Sequence, residues 1–257
     1  MHVGIIGVGL MGHGIARNVL KHGGFTLGFL DHPGNQPTDE IVALGGHSCA
    51  TVAEVVDGAE VVLLCVTGSP QVEALVAGED GIAARLQPGA VVVDCSTSLP
   101  ETTLRMCGLV SQAGGGYLDA PMTRTAKHAH EGTLNLLVGG AAETLETVRP
   151  LLDCFAEKID HVGPLGDGHR LKLLHNFVSL GFATLLAEAV AQAAAAGVDP
   201  DMFVEVLGAG GGASVALERL APFIRDGKRD GLPFAVSNAL KVQKLALDLT
   251  GGVVKLR

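Results

Sequence analysis

The feature that most constrains the fold is the alternation of short apolar segments with helical segments along the first part of the chain. The stretches AEVVLLCV (59–66) and AVVVDCS (90–96) are almost continuously apolar, which is typical of parallel strands buried on both faces. Strands that alternate with helices at this spacing predict a doubly wound parallel sheet of the Rossmann type, an α/β fold. We assign residues 1–162 to this domain.

The remainder of the chain, residues 163–257, has a different pattern. HRLKLLHNFVSLGFATLLAEAVAQAAAAG, which starts at His169, contains no proline and predicts one helix of about 40 Å. Asp199 or Asp201 is expected to cap the short helix that follows. We therefore predict a second, all-α domain built on the long helix.

Composition excludes several classes of partner. The formal net charge is −9 and no run of Lys or Arg occurs, so nucleic acid and anionic membranes are poor partners. The five cysteines are widely spaced and lie mostly in apolar runs, as in a reduced cytoplasmic protein. The apolar start VGIIGVGL is too short and glycine-rich to span a bilayer. We expect a cytoplasmic protein with no membrane segment.

The stretch GVGLMG, Gly7 to Gly12, follows the first predicted strand directly and opens a helix. In that context G-x-G-x-x-G is typical of a dinucleotide site, since the glycines permit a tight turn and the helix amino terminus faces the pyrophosphate. Asp31 ends the second predicted strand, where it can accept hydrogen bonds from the adenosine ribose, and this favours NAD over NADP. Val66 and Thr97 end later strands and are expected to line the same crevice, although each is equally well explained alone as a turn residue.

Lys172, His175 and Asn176 are spaced at i, i+3 and i+4, so they share one face of the long apolar helix. A lysine near apolar groups has a lowered pKa, which suits proton exchange with a hydroxyl or carbonyl near neutral pH. A solvated helix face is the alternative for an arbitrary lysine. The glycine-rich approach to this helix favours a site.

Two further groups of polar residues follow the strand that ends in DAP. Arg124 has a planar guanidinium that could bind a carboxylate, sulfonate or phosphate, and a solvated arginine explains it equally well. His128 and His130 form an H-x-H pair with no third ligand in a recognisable frame, so no metal site is predicted.

Four separated motifs resemble those of the β-hydroxyacid dehydrogenase family, over residues 1 to about 248. IIGVGLMGHGIARNVL is similar to the family's cofactor signature, and DCSTSLP is similar to its segment near the nicotinamide. DAPMTRTAKHAHEGTLNLLVGG resembles its substrate segment, and GPLGDGHRLKLLHN its catalytic motif G-x-x-G-x-G-x-x-x-K-x-x-x-N. The motifs also occur in the family's order.

The resemblance implies hydride transfer between a nicotinamide cofactor and a small 3-hydroxy acid or its semialdehyde, as in 3-hydroxyisobutyrate dehydrogenases. It implies that Lys172 is the general acid/base, that Asn176 orients the substrate, and that the protein is a homodimer or homotetramer. The implied cofactor contacts are Gly7, Gly9, Leu10, Met11, Gly12, Asp31, Val66, Thr97 and Lys241. The implied substrate contacts are Thr123, Arg124, Thr125, His175, Asn176 and Ser179.

Four departures limit what the resemblance implies, and the first of them, at 123–125, leaves the substrate open. The usual S-G-G is replaced by T-R-T at 123–125, which is similar to sulfolactaldehyde reductases of the family, but His175 stands where that branch carries asparagine. The family's K-D-L is KVQ at 241–243, and the end LTGGVVKLR is short and atypical.

Alternative functions follow from these departures. Sulfolactaldehyde reductase and tartronate semialdehyde reductase are alternatives within the class, and a non-catalytic NAD-binding sensor is the alternative from another class. Intact Lys172 and Asn176 argue against the sensor. An imine reductase is disfavoured because those enzymes generally carry a residue other than lysine at this place.

Overall fold

The computed structural model describes residues 1–228. The chain divides into two compact units, Met1–Lys172 and Leu173–Arg257.

Nine strands in the described part of the chain form one sheet, in the order β3-β2-β1-β4-β5-β6-β8-β7, with β9 beside β8. The strands are His2–Ile6 (β1), Thr26–Leu30 (β2), His47–Cys49 (β3), Val61–Leu64 (β4), Val91–Asp94 (β5), Gly116–Asp119 (β6), Met122–Thr123 (β7), Leu134–Gly139 (β8) and Ala156–Gly163 (β9).

The first six strands pair with one another in parallel throughout. Their order reverses between β1 and β4, and this switch point is where a doubly wound sheet leaves a ligand crevice beyond the strand ends. Both β4 and β5 are buried along their whole length, which explains their unbroken apolar sequences. The predicted Rossmann-type fold is therefore confirmed.

Strand β8 departs from the predicted parallel sheet, since it pairs antiparallel with both β6 and β7. Residues 124–133 connect β7 to β8, and this connection is shorter than the dozen or more residues that a parallel crossover needs. The chain therefore turns back on itself at the substrate segment.

Helices cover both faces of the sheet. Alternate strand residues point to opposite sides, and apolar residues occur on both sides, so each face needs a layer of helices. Ile5 and Leu63 belong to one buried cluster, and Ile6 and Leu64 belong to the other. The helices of the first unit are Gly12–His22 (α1), Asp39–Ala43 (α2), Val52–Val56 (α3), Ser69–Ala77 (α4), Ile82–Arg85 (α5), Pro100–Gln112 (α6), Ala126–Glu131 (α7) and Ala142–Leu152 (α8).

The long helix predicted from the sequence is present as α9, Asp167–Ala195, and its first six residues belong to the first unit. Helices α10, Pro200–Gly208, and α11, Val215–Asp226, follow it in the second unit. Asp199 caps α10 by accepting a hydrogen bond from the Met202 amide at 2.9 Å, as predicted. Leu186, Val204 and Leu217 form the buried cluster of this unit.

Within residues 1–228, α9 is the single helix long and apolar enough to cross a bilayer by length and composition. The start of this helix, however, is held by two backbone amides that donate to the buried carboxylate of Asp119 in the first unit. The same length and composition are found in core helices of soluble proteins.

Candidate active site

The three glycines of the GVGLMG loop have different physical roles. Gly7 has φ +101°, and a Cβ there would overlap the carbonyl oxygen of Cys65. A Cβ on Gly12 would overlap the carbonyl oxygen of Gly7. At Gly9 the first atom that a Cβ would meet is 3.9 Å away. Gly7 and Gly12 therefore satisfy the turn and the helix packing, whereas Gly9 leaves room for the close approach of a ligand.

The carboxyl ends of β1, β4 and β5 meet at this loop. A Cβ on Gly7 would stand 3.1 Å from Cγ1 of Val66, and the Val66 amide donates to Ser96 Oγ at 3.1 Å. Thr97 follows Ser96 and is half-buried. The structure thus brings Gly7, Val66 and Thr97 to one edge of the sheet, as expected for a shared crevice. Of the other loop residues, Leu10 is exposed and Met11 is half-buried.

Asp31 lies directly after β2, with an exposed side chain and an amide that donates to the Cys49 carbonyl at 2.8 Å. Residues 31–40 contain no Lys or Arg. The cations of the adjacent helix α1, Arg17 and Lys21, both pair with Glu40. The loop after β2 therefore offers an acidic group and no lysine or arginine for a ribose phosphate.

Lys172 lies in the second turn of α9 and is partly buried. Burial lowers the pKa of its amine from the ordinary 10.5 to about 8, because the charged form loses hydration. In the described part of the chain no carboxylate forms an ion pair with this amine. A lysine of this kind exchanges protons readily near neutral pH.

Helix α9 continues into the second unit with the other predicted residues of its polar face. Asn176 is half-buried, and its Oδ1 lies 3.2 Å from Nδ1 of the exposed His175. Ser179 donates its hydroxyl to the Asn176 carbonyl at 3.3 Å. Asn176 follows Lys172 by one helical turn, which is the predicted spacing.

The glycine motif before Lys172 brings the first turn of α9 against the end of β6. The amides of Gly166 and His169 donate to the two carboxylate oxygens of Asp119, at 2.8 and 2.7 Å. Gly166 has φ +91°, and a Cβ on Gly168 would overlap the carbonyl oxygen of Leu137. Glycine is thus required at Gly166 by the positive φ of the turn, and at Gly168 by the close approach of the Leu137 backbone.

The side chain of His169 is fully buried near the carboxyl end of β5. Its Nε2 lies 3.1 Å from the Ser96 carbonyl, and its Nδ1 lies 2.7 Å from Thr103 Oγ1. Asp94, also fully buried, accepts from the Ser96 amide at 2.9 Å and from the Tyr117 hydroxyl at 3.3 Å. Burial, with the Asp94 carboxylate second, raises the pKa of Tyr117 well above its ordinary value.

These buried polar residues were not predicted from the sequence. A signal exists, because two consecutive apolar strands, VVVD and GYLD, each end in an aspartate. An ionisable residue closing an otherwise apolar, fully buried strand requires a polar partner.

The substrate segment has an unexpected geometry at Arg124. It is the single non-glycine residue with a positive φ, +76°, among residues 1–228, at a position where the family usually has glycine. Its Nη1 donates to the Thr133 carbonyl at 2.5 Å and also pairs with Glu157. Arg124 is therefore partly engaged within the protein, rather than simply solvated. Thr123 lies in β7, and Thr125 Oγ1 lies 2.9 Å from Nδ1 of His128.

Two remaining predictions concern Lys241 and the metal. Lys241 lies outside the described residues. Among residues 1–228, no group of three or more His, Cys, Asp or Glu could hold a metal ion. The His130 ring packs instead against His13, at 5.2 Å between centroids.

Family models match both parts of the chain. Residues 2–163 match the NAD-binding domain of 6-phosphogluconate dehydrogenase. Residues 166–253 match the NAD-binding region of NADP-dependent 3-hydroxyisobutyrate dehydrogenase.

Individual relatives cover most of the chain. The NAD-dependent L-serine dehydrogenase of Pseudomonas aeruginosa is 32% identical over 249 residues, covering 96% of this chain and 82% of the relative. The 2-hydroxy-3-oxopropionate reductase of Escherichia coli is 33% identical over 222 residues, covering 85% of this chain and 74% of the relative. A solved 3-hydroxyisobutyrate dehydrogenase of Mycobacterium tuberculosis, determined with L-serine, superposes with a TM-score of 0.86 at 25% identity, over 99% of this chain and 89% of that chain.

The glycine loop, the strand ends beside it and the desolvated lysine thus occur on a fold shared with the solved 3-hydroxyisobutyrate dehydrogenase. The match of family models to residues 2–163 and 166–253 agrees with the order of the four motifs. The chain belongs to the β-hydroxyacid dehydrogenase family and is a nicotinamide-dependent oxidoreductase.

Proposed function

We propose that the chain is an NAD-dependent dehydrogenase that interconverts a small 3-hydroxy acid and its semialdehyde, with Lys172 as the general acid/base. The observation that carries this proposal is the amine of Lys172, whose burial lowers its pKa to about 8. It lies in the same unit as the GVGLMG loop, three residues after a histidine that binds the Ser96 carbonyl. The proposed domains are residues 1–162 for the cofactor and 163–257 for substrate and oligomerisation.

The residues of the first unit fit a dinucleotide. Gly9 leaves open space at the loop, Val66 and Thr97 flank the crevice, and Asp31 is free to accept from ribose hydroxyls. When bound, the nicotinamide supplies the hydride acceptor for oxidation, or the donor for reduction. Asp31 also supports NAD as the preferred cofactor, because its charge repels the phosphate of NADP. Gly7, Leu10, Met11, Gly12 and Lys241 complete the proposed cofactor contacts.

Lys172 handles the proton of the same reaction. In the direction of oxidation, its neutral amine accepts the hydroxyl proton as the hydride leaves the carbon. In reduction, its ammonium returns that proton to the forming alkoxide. A pKa of about 8 keeps both forms accessible at physiological pH. Asn176 donates its amide to the same oxygen and orients it, with His175 and Ser179 beside it on the helix.

The substrate class follows from chemistry shared by the relatives. L-serine, 3-hydroxyisobutyrate and 2-hydroxy-3-oxopropionate are acids of three or four carbons, each with a hydroxymethyl or aldehyde carbon next to the carbon that carries the carboxylate. We propose that Arg124, with Thr123 and Thr125, binds the anionic group. Since Nη1 of Arg124 already pairs with Glu157, the substrate anion would bind the remaining guanidinium N–H groups.

The first test is an initial-rate assay of NADH and NADPH oxidation with methylmalonate semialdehyde, tartronate semialdehyde, succinate semialdehyde and sulfolactaldehyde. Turnover of a carboxylate semialdehyde with NADH is expected, and Lys172→Ala should abolish it while NADH affinity is retained. Preference for the sulfonate would move the protein to the sulfolactaldehyde branch. NADH binding without turnover would instead support a sensor. Arg124→Ala should raise the KM for the acid more than it lowers kcat.

We also propose that the protein is cytoplasmic and forms a homodimer or homotetramer. The support is the family and the long, largely exposed helix α9. Light scattering on the purified chain gives the oligomeric state directly, and a monomeric mass at micromolar concentration would contradict it.

A further inference from the structure

A cluster of buried polar side chains lies at the root of α9, and the proposed chemistry does not use it. We call it the root cluster: Asp94, Ser96, Thr103, Asp119 and His169. Each member is at most 3% exposed. Burying two carboxylates and an imidazole has a desolvation cost that apolar side chains of similar volume avoid. The cluster is therefore better explained by what it positions than by what it adds to stability.

We propose that His169 and Asp119 are positioning residues for Lys172, because they fasten the first turn of α9 to the strand ends that form the cofactor crevice. This inference rests on the proposed acid/base role of Lys172. Neither residue needs to touch substrate or cofactor, and the catalytic residue remains the lysine.

Asp119 sets the position of the helix start. Its two carboxylate oxygens accept one amide each, from Gly166 just before α9 and from His169 in its first turn. These amides have no intrahelical acceptor, and a carboxylate at a helix amino terminus also interacts favourably with the helix dipole. Because both oxygens are engaged, the turn can neither slide along β6 nor rotate without losing a hydrogen bond in a buried place.

His169 sets the orientation of the same turn relative to the strand ends that carry Val66 and Thr97. The Ser96 carbonyl can only accept, so Nε2 carries the hydrogen of that 3.1 Å bond. Thr103 Oγ1 holds Nδ1 at 2.7 Å from helix α6. The ring is thereby fixed at both nitrogens, to the residue before Thr97 on one side and to α6 on the other.

The position of Lys172 follows from this attachment. It lies three residues after His169, so the two belong to successive turns of one helix. A rotation of the first turn would move the amine toward or away from solvent. It would also change the distance of the amine from the strand ends that carry Val66 and Thr97. Since burial is the cause of its lowered pKa, the hydration of Lys172 reports on the position of this turn.

The charged and titratable groups around His169 come from strands β5 and β6. Asp94 of β5 has Oδ2 at 3.9 Å from Nε2, and Asp119 of β6 has Oδ2 at 3.8 Å from Nδ1. Tyr117 of β6 contacts Asp94. Because two carboxylates and a phenol surround this ring, the amine of Lys172 is the group whose protonation is followed.

The experiment measures the pH dependence of acetylation at Lys172 in the folded full-length chain. Brief pulses of acetic anhydride are applied between pH 6 and 11, and the peptide that contains Lys172 is quantified by mass spectrometry. The wild-type midpoint is expected at about 8. His169→Leu removes both ring hydrogen bonds and should raise the midpoint by at least about one pH unit and lower kcat at least tenfold. NADH affinity should stay within about threefold.

Two further variants keep the result interpretable. His169→Gln retains a donor for the Ser96 carbonyl and should restore most of kcat and the midpoint. Thr103→Val keeps the volume of Thr103 but removes the partner of Nδ1, so it should shift the midpoint in the same direction by less. Its matched control is Thr102→Val, on the same helix and 2% exposed, whose hydroxyl binds Glu73 instead. The control should leave the midpoint unchanged.

An unchanged midpoint in His169→Leu, with kcat reduced only in proportion to the folded fraction, would overturn the inference and leave a structural role. If His169→Leu does not fold, the comparison of Thr103→Val with Thr102→Val decides in the same way. Equal midpoints in that pair would overturn the inference.

The proposed function fails separately from the positioning inference. If Lys172→Met retains turnover, the acid/base role is wrong, whatever the acetylation midpoints show. If Lys172→Met is inactive while the His169 and Thr103 variants keep the wild-type midpoint, the acid/base role stands and the positioning inference is wrong.

Discussion

Replacing Lys172 by methionine should stabilise the protein at neutral pH while it removes activity. Methionine has a similar length and no charge, so it can occupy the partly buried place of the lysine without the desolvation cost. The magnitude follows from the pKa of the amine, about 8 in the folded chain against an ordinary 10.5. At about 1.4 kcal/mol per pKa unit this difference corresponds to roughly 3 kcal/mol. Because part of the side chain reaches solvent, this is an upper bound.

The sign of the pH dependence is fixed by proton counting. Between pH 8 and 10.5 the unfolded lysine binds more protons than the folded one, so the free energy of unfolding of the wild type rises with pH in that window. Below pH 8 the full cost is present. The stability advantage of Lys172→Met should therefore be largest at pH 7 and should shrink as the pH rises above 8.

The chain supplies its own spectroscopic probe for this measurement. It has one tyrosine and no tryptophan, and that tyrosine, Tyr117, is buried in the first unit. Urea unfolding of wild type and Lys172→Met, followed by tyrosine fluorescence at pH 7, 8 and 9.5, reports on the unit that holds Lys172. Taking the difference between the two proteins cancels the titration of all other groups.

A surface lysine provides the control. Lys127 is exposed and, among residues 1–228, forms an i,i+4 pair with Glu131, so Lys127→Met should change the free energy of unfolding by less than about 0.5 kcal/mol. The reasoning is refuted if Lys172→Met is less stable than the wild type at pH 7, or if its advantage is the same at all three pH values.

Three further outcomes are expected from the structure. Asp31→Ser should raise kcat/KM for NADPH relative to NADH at least tenfold, and an unchanged ratio would exclude Asp31 from cofactor selection. Gly168→Ala should lower the free energy of unfolding by about 2 kcal/mol or more, because its methyl group would overlap backbone oxygens. Gly181→Ala, on the same helix with no atom within 4 Å of the added carbon, should instead stabilise by about 0.5 to 1 kcal/mol; equal effects at the two glycines would contradict this. Burial raises the pKa of Cys65 to about 12, so iodoacetamide at pH 8 should alkylate this thiol only after unfolding, as peptide mass spectrometry would reveal.

Local sequence patterns predicted those parts of the candidate site whose position local physics determines. A glycine loop between a strand and a helix, an acidic residue at the next strand end and a lysine on an apolar helix each carry a signal within a few residues. The position of α9 could be predicted to within two residues for the same reason, and Asp199 was one of the two predicted caps.

The features that were missed depend on contacts between distant segments. The Asp119 carboxylate meets the amide of Gly166 from 47 positions away, and the His169 ring meets the Ser96 carbonyl from 73 positions away. No pattern near these residues says which strand end faces which helix. The Arg124 pair with Glu157, 33 positions apart, was missed for the same reason. The reversal of β8 could have been anticipated from its short connection.

The close fit of Gly168 against Asp119 constrains which amino-acid substitutions these two positions can accept, and in which order. A Cβ at Gly168 would stand 2.8 Å from both the backbone oxygen and one carboxylate oxygen of Asp119. Shortening Asp119 first would leave two buried amides without an acceptor, and enlarging Gly168 first would force the turn off the sheet. Either single step is costly, so the two positions are expected to change together or not at all. In a combinatorial library of both positions, the tolerated pairs should deviate from the product of the tolerated single changes.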